Sequence, residues 1–236
     1  MQTSQGAPVF DGFSVHDVSD IALQRTDTLT RVPKYGAISF QAWKRGISAP
    51  LLAESFFRRK KILSAAWRDA QAEWSMIHDL LPAAGTSICD IGCGHAMIDL
   101  AAFRERSDLQ ISLIDIERTE ARHHGFNSTG AGYGSLDSAK AFLVRNGVQP
   151  SRIDLCNPTR DPLPEGPFDM IISIISAGFH YPISEYVPFA LRTLKSGAPL
   201  VFDMRVNTDQ MSSLAEFSSV RVLHRTKTCE RVAAFK

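Results

Sequence analysis

The chain has 236 residues, 44% of them hydrophobic, and a formal net charge of +1 at pH 7. This length and apolar content suffice to bury one full core plus an appendage, and the nearly balanced charge excludes the strongly basic composition of a dedicated nucleic-acid binder. The four cysteines are scattered without a C-x-x-C pair, which predicts reduced thiols in a cytoplasmic protein. We expect neither a signal peptide in the polar, acidic first 20 residues nor a membrane span, because no apolar run is long enough.

The first third of the chain divides by charge. Residues 1–30 are mainly acidic and have little periodicity, which predicts an arm that is loose or is ordered only against the body or a partner. Residues 31–74 are basic, and apolar residues recur at helical spacing from Leu52 to Leu81, which predicts one long helix or two shorter ones. We therefore divide the chain into an N-terminal arm with a basic helical extension, residues 1–74, and a main domain, residues 75–236. A homo-oligomer formed through the N-terminal helices is one expectation.

Four consecutive cations, Arg58, Arg59, Lys60 and Lys61, stand out in this extension. A run of charges on a helix is most often a solvated face, and this is the interpretation that we favour. The alternative is a basic wall beside an active-site mouth, which would hold an anionic substrate.

From Ser87 onward, apolar strand patterns alternate with helical patterns. Strands are predicted over 87–90, 110–115, 152–155, 168–173 and 199–204, and helices over 95–106, 136–146 and 184–194. Such alternation predicts an α/β fold with a doubly wound, mostly parallel sheet and helices on both faces. Two further strands, 220–225 and 230–235, are joined by a short turn and predict a closing hairpin.

The first of these strands ends in a glycine turn, Asp90-Ile91-Gly92-Cys93-Gly94. A dinucleotide fingerprint would need a third small residue where Met97 stands, and no P-loop pattern is present. An acid at this point suits a ligand with a cationic amino group better than a pyrophosphate. The D-x-G-x-G pattern resembles motif I of the class I S-adenosylmethionine-dependent methyltransferases. The alternative is an ordinary glycine turn in another Rossmann-like protein.

This resemblance implies a Rossmann-like, seven-stranded sheet with a C-terminal antiparallel hairpin, and S-adenosylmethionine as cofactor. It implies that Asp90, Gly92 and Gly94 seat the methionine end and that Asp115 binds both ribose hydroxyls. The remaining candidate cofactor-binding residues are Cys93, His95, Ile116, Asn157 and Ser173. Four alternatives stay open. Asp115 could cap a helix, and Glu117 could bind the ribose instead of Asp115. Asn157 could serve only to form a turn, and His95 could be a surface residue.

The segment after the fourth strand carries the candidate catalytic residues, His180 and Tyr181. An imidazole can take a proton from a hydroxyl near neutral pH, and an aromatic face can stabilise a sulfonium. The alternative is that His180 is satisfied by a neighbouring carbonyl and that Tyr181 is core. Candidate substrate-binding residues are Phe179 and, in the long glycine-rich loop after the second strand, His123, His124 and Tyr133. No metal is expected, because the adjacent histidines lack an acidic partner at a convincing spacing.

The resemblance implies methyl transfer, and we expect a small-molecule acceptor. Residues 178–182 and the two-histidine loop are faintly similar to sugar O-methyltransferases, which favours a hydroxyl of a sugar or nucleotide sugar. Nucleic acid is not expected as a partner. An RNA or protein methyltransferase that docks through the basic helix, an aminopropyl transferase, and a non-catalytic interaction protein are the alternatives.

Overall fold

The structure is a computed structural model that describes residues 6–25, 36–117, 126–128 and 132–236. Its central element is a single mixed sheet. Within these ranges seven strands hydrogen-bond in the order β3-β2-β1-β4-β5-β7-β6. The strands are β1 (Ser87–Ile91), β2 (Gln110–Ile114), β3 (Ile153–Cys156), β4 (Met170–Ser173), β5 (Pro199–Arg205), β6 (Ser219–Arg225) and β7 (Cys229–Phe235). Strands β1 to β5 pair in parallel, and β7 lies antiparallel between β5 and β6. The predicted Rossmann-like sheet with its C-terminal hairpin is confirmed.

The central strands are short apolar runs because they are covered on both faces. In β1, Ile88 contributes to one hydrophobic cluster, whereas Cys89 and Ile91 contribute to the other. A strand that is buried on both faces shows a nearly continuous apolar sequence, as β1 and β4 do. The edge strand β6 is mostly exposed and carries charged residues, which discourage pairing with another chain.

Helices cover both faces of the sheet. They are α1 (Val15–Gln24), α2 (Gly36–Lys44), α3 (Ala49–Phe57), α4 (Arg59–Ser75), α5 (Met97–Glu105), α6 (Leu136–Arg145) and α7 (Val187–Thr193). Residues of α1 to α6 join the hydrophobic cluster on one face, and residues of α7 join the cluster on the other. Short 3₁₀ turns lie at His78–Leu80, Pro150–Arg152, Ile183–Glu185 and Met211–Leu214. None of the helices in the described ranges is both long and apolar enough to cross a membrane.

Within the predicted arm, residues 1–30, helix α1 is ordered against the body of the protein, which is the second arrangement expected for this segment. Ser14 and Asp17 form a reciprocal capping box: the Asp17 backbone N–H donates to the Ser14 hydroxyl, and the Ser14 backbone N–H donates to the Asp17 carboxylate. Val18, Ile21 and Ala22 on the same helix are at most 1% exposed. Burial of this face and the cap together order the helix against the sheet.

The apolar repeat that starts at Leu52 forms two helices, α3 and α4, that meet at Arg58, which is one of the two arrangements expected. Helix α2 also lies in the basic extension. Two of the extension's four consecutive cations serve the fold. Arg58 pairs with Glu54 at 3.0 Å, and Arg59 donates to the carbonyl oxygen of Phe10 at 3.1 Å. Lys60 and Lys61 are exposed. Helix α4 packs on α5, so the extension shares its core with the main domain.

Candidate functional site

A cleft that is partly open to solvent lies at the carboxyl ends of β1, β2 and β4. This is the edge at which open α/β sheets bind ligands. The residues that line it come from α1, the glycine turn, the segments after β2 and before α6, and the segment after β4: Leu23, Gln24, Gly92, Asp115, Ile116, Gly132, Tyr133, Ile175, Ser176, His180, Tyr181 and Tyr186.

The glycine turn brings bare backbone to the cleft. Gly92 has φ +73°, and its N–H donates to the carbonyl oxygen of Ile114 at 2.7 Å. A Cβ at this position would lie 1.7 Å from Ser176 Oγ, so no side chain fits here. Gly94 also has a positive φ, +56°. Both glycines are therefore required by backbone conformation or by close approach.

The Asp115 carboxylate is fastened to this turn. Its Oδ2 accepts the Gly94 N–H at 2.9 Å, and its Oδ1 accepts the Glu117 N–H at 2.7 Å. Burial raises the pKa of Asp115, although these two N–H donors oppose the rise. Each oxygen keeps a lone pair that a ligand hydroxyl can use. Among the residues described directly after it, Ile116 and Glu117, Asp115 caps no helix: neither is helical, and Glu117 has a positive φ, +61°.

Glu117, the alternative to Asp115, is engaged elsewhere. Its carboxylate accepts from the Leu136 N–H at 3.2 Å and from Asn157 Nδ2 at 2.9 Å, and it pairs with Arg160 at 2.8 Å. Glu117 does not line the cleft, whereas Ile116 does.

Asn157 and Ser173 lie behind the cleft lining. The Asn157 side-chain oxygen accepts from the backbone N–H and the hydroxyl of Thr159, at 3.1 Å and 2.7 Å. The Ser173 hydroxyl donates to the Ile91 carbonyl oxygen at 3.0 Å and is fully buried. The Ser173 bond ties β4 to the end of β1, and Asn157 Nδ2 donates to the Ile116 carbonyl oxygen, just after β2, at 3.4 Å.

A second cavity adjoins the cleft and shares Gly92 and Gln24 with it. It is lined also by Asp90, Cys93, His95 and Arg25. His95 is 2% exposed, so the surface alternative is wrong. Its Nε2 lies 3.3 Å from Asp17 Oδ1. Burial opposes ionisation of Asp17, but hydrogen bonds with His95 and Ser14 hold the pKa of this carboxyl well below its usual range.

The segment after β4 forms a compact turn that presents His180 and Tyr181 to the cleft. The backbone N–H of His180 donates to the Ser176 carbonyl oxygen at 2.8 Å, and Gly178 N–H donates to Tyr181 O at 2.7 Å. The Tyr181 hydroxyl lies 3.4 Å from Ser176 Oγ. Burial raises the pKa of Tyr181 well above its usual value and that of Tyr186 to about 12, so both phenols stay protonated.

Of the four candidate substrate-binding residues, one lines the cleft, one lies outside its lining, and two lie outside the described residues. Tyr133 lines the cleft, and its carbonyl oxygen accepts from Gln24 Nε2 at 3.3 Å. Phe179 lies outside the lining, where its ring packs against the Arg205 guanidinium at 4.2 Å and against His180. His123 and His124 lie outside the described residues. In the ranges that are described, no three histidine, cysteine or acidic side chains cluster as a metal site would require.

Sequence reasoning missed the contribution of α1 to the site. Leu23, Gln24 and Arg25 line the cleft or its adjoining cavity. The signal was present: S-x-x-D at Ser14 is a capping pattern, and apolar residues follow it at helical spacing. Ser176 and Tyr186, which also line the cleft, carried no comparable motif.

Known proteins share the architecture of this chain but little of its sequence. No protein-family model and no curated protein sequence matches it. A putative O-methyltransferase from Nostoc punctiforme superposes with a TM-score of 0.54 at 14% identity, over 99% of this chain and 77% of that one. Cofactor-bound Rv0187 from MTB gives 0.50 at 13% identity over 98% of both chains, and a SAM-dependent O-methyltransferase from Thermotoga maritima gives 0.50 at 15% identity over 71% and 64%. The chain therefore has the fold of the class I S-adenosylmethionine-dependent methyltransferases.

Proposed function

We propose that this protein transfers the methyl group of S-adenosylmethionine to a hydroxyl of a small-molecule acceptor. The observation that carries the proposal is the convergence, in one cleft, of the Gly92 turn, the Asp115 carboxylate and the His180–Tyr181 turn. The shared fold of the O-methyltransferases from Nostoc punctiforme and Thermotoga maritima supports it.

The residues present fit this cofactor at both of its ends. Asp115 offers two buried carboxylate oxygens to a diol, and apolar Ile116 lies beside it in the cleft. In the adjoining cavity, Asp90 has a buried oxygen, Oδ1, with no hydrogen-bond partner among the described residues. An unsatisfied buried carboxylate oxygen is costly, and a ligand ammonium would satisfy it. Asn157 and Ser173 act indirectly, by holding the strand ends that carry these residues.

When bound, S-adenosylmethionine supplies an electrophilic methyl group. The protein's own part is to align the acceptor and to manage its proton. His180 would hold the proton that the acceptor hydroxyl loses, because the phenols of Tyr181 and Tyr186 stay protonated and cannot serve as bases. Tyr181 and Tyr186 instead give the cleft an aromatic wall. Such a wall favours a cationic sulfonium.

The acceptor class remains the small hydroxyl compound that the sequence favours, with a sugar or nucleotide sugar as the first choice. Tyr133 and Leu23 border the cleft with apolar surface, and Gln24 adds an amide that can hydrogen-bond a polyol. Docking of RNA along the basic run has less support, because Arg58 and Arg59 are engaged within the chain.

Calorimetric titration with S-adenosylmethionine tests the proposal, with NAD and ATP as competing ligand classes. We expect binding of S-adenosylmethionine alone and a marked loss of affinity in Asp115→Ala. A 2′-deoxyribose analogue should bind the wild type more weakly, but should bind Asp115→Ala about as well as the parent compound does. Absence of heat with wild-type protein, or preference for NAD or ATP, would overturn the proposal.

Acceptors are then identified with methyl-labelled cofactor, beginning with nucleotide sugars and free sugars. Transfer to one of these supports the proposed acceptor class. Transfer only to RNA or to protein would overturn that class while leaving methyl transfer in place. Binding of the cofactor without transfer to any of the three classes would favour a non-catalytic interaction protein.

A further inference from the structure

Two acidic side chains, Asp90 and Asp99, lie together beneath the adjoining cavity. Asp90 lies in β1 on the same face as Ile88, and Asp99 lies in the first turn of α5, which packs on that face. They are 2% and 0% exposed. Asp90 lines the cavity and Asp99 stands behind it.

Three oxygens of this pair accept no hydrogen bond from any other described residue: Asp90 Oδ1 and both oxygens of Asp99. The two carboxyls can hydrogen-bond to each other, through a shared proton. Buried polar atoms are nearly always hydrogen-bonded, because burial of a carboxylate without a donor is costly. A pair of buried acids without hydrogen-bond donors is therefore expected to bind a proton, to bind a ligand cation, or to bind first one and then the other.

The nearby arginines do not neutralise the pair. Arg25 donates to both carboxylate oxygens of Glu73 at 2.7 Å, and Arg231 donates to both oxygens of Asp203 at 2.8 Å and 3.0 Å. Each arginine thus already has a carboxylate partner. Two further charged groups act on Asp90: Arg25 favours its ionisation and Asp115 opposes it. Burial and, in turn, the two acids raise the pKa values of the thiols of Cys89 and Cys93.

Burial and then the charge of Asp99 raise the pKa of Asp90 well above its usual value, and burial raises the pKa of Asp99 to about 7. Two carboxyls that share a buried site titrate as a unit and retain one proton between them where a lone acid would be ionised. The pair therefore retains a shared proton at neutral pH.

We propose that Asp90 and Asp99 form a proton-holding pair that binds the cationic amino group of the cofactor and releases its shared proton when that group arrives. Asp90 touches the ligand, and Asp99 is a positioning residue that acts through Asp90. The balance is simple: the pair passes from one negative charge to two, the ligand ammonium keeps its proton, and the released proton passes to the buffer. This inference rests on the proposed function.

The proposal predicts that cofactor affinity depends on pH through the amino-acid end of the ligand alone. Because a proton leaves the pair when the ligand binds, affinity for S-adenosylhomocysteine should fall by up to about tenfold for each unit that the pH is lowered around pH 7. 5′-Methylthioadenosine shares the nucleoside but has no amino group, so its affinity should not show this fall. The comparison uses the wild-type protein throughout and does not depend on the folding of a variant.

The decisive experiment is calorimetric titration of S-adenosylhomocysteine at pH 7 in phosphate and in Tris, whose ionisation enthalpies differ. We expect the wild type to release up to about one proton per ligand bound. Asp99→Asn, whose amide can donate to Asp90, should still bind but release nearly none, and 5′-methylthioadenosine should release none from the wild type.

The outcomes separate this inference from the proposed function. Equal proton release from the wild type and Asp99→Asn, or release with 5′-methylthioadenosine, would overturn the proton-holding pair. Binding of S-adenosylhomocysteine without proton release would also overturn it, while leaving methyl transfer intact. Failure of S-adenosylhomocysteine and S-adenosylmethionine to bind at all would instead overturn the proposed function.

Discussion

Ser176 occupies the space that any side chain on Gly92 would need. An added Cβ would lie 1.7 Å from Ser176 Oγ and 2.5 Å from Ser176 Cβ. The two residues come from different parts of the sheet edge, one after β1 and one after β4. Their contact joins the glycine turn to the segment that carries the candidate catalytic residues, so the floor of the cleft depends on both.

Gly92→Ala should therefore abolish tight cofactor binding, because the turn or the Ser176 segment must move. Gly197→Ala is the matched control: Gly197 has a similar φ, +75°, against +73° at Gly92, but nothing lies within 4 Å of its added Cβ. The control should lose only about 1 kcal/mol of stability. Thermal unfolding and calorimetric titration of both variants measure the difference. Equal affinities would show that the Gly92–Ser176 contact is unimportant for the site.

His180→Gln should lower kcat by about 10²- to 10⁴-fold while leaving cofactor affinity nearly unchanged, since it removes a base and not a cofactor contact. His224→Gln, on the exposed edge strand β6, is the control and should behave as wild type. A His180 variant with normal turnover would remove this residue as the base.

Asp169→Asn should destabilise the fold by about 1–3 kcal/mol at neutral pH. Burial opposes ionisation of Asp169, but a hydrogen bond from Lys195 at 2.8 Å, and others from the N–H groups of Thr86 and Ser87, hold its pKa below the usual value. Because the folded pKa is the lower one, this stabilisation is complete above the unfolded value of about 3.9 and is lost as pH falls through the folded value.

Urea unfolding of the wild type and Asp169→Asn between pH 7 and pH 2 measures this difference. The gap in unfolding free energy should be constant down to about pH 4 and narrow below it. Asp154→Asn, an exposed acid on β3, is the control and should show little gap at any pH. If the difference in unfolding free energy between the wild type and Asp169→Asn widened as the pH fell, it would contradict a stabilising role for the ionised Asp169 carboxylate.

Reversing the charge at Lys60 and Lys61 tests whether an anionic acceptor docks on the basic run. These two are exposed, whereas Arg58 and Arg59 hold the chain together and are best left intact. With an anionic acceptor there, Lys60→Glu/Lys61→Glu should raise KM by about threefold or more at low salt, and less at high salt. Lys227→Glu, in the turn between β6 and β7, should leave KM unchanged. Identical KM values in all three proteins would indicate that the four consecutive cations are a solvated helix face and do not bind the acceptor.

Much of the fold could be predicted because its signals are local. The apolar runs of β1 to β5 lie within about two residues of their predicted bounds, and so do most bounds of α5 and α6. The prediction for α7 starts too early, since residues 183–185 form a 3₁₀ turn before the helix begins at Val187. Acids at strand ends marked Asp90 and Asp115, and both line the cleft or its adjoining cavity.

What the amino-acid sequence alone determined was the order of strands and helices and the glycine turn, because periodicity and turn chemistry act over a few neighbouring residues. The tertiary structure decided which side chains meet across long separations: α1 closing on the glycine turn, Ser176 beneath Gly92, and Asp99 behind Asp90. It also turned Asn157 and Glu117 inward on each other. Such pairings follow from the packing of whole helices on the sheet, and no local pattern encodes them.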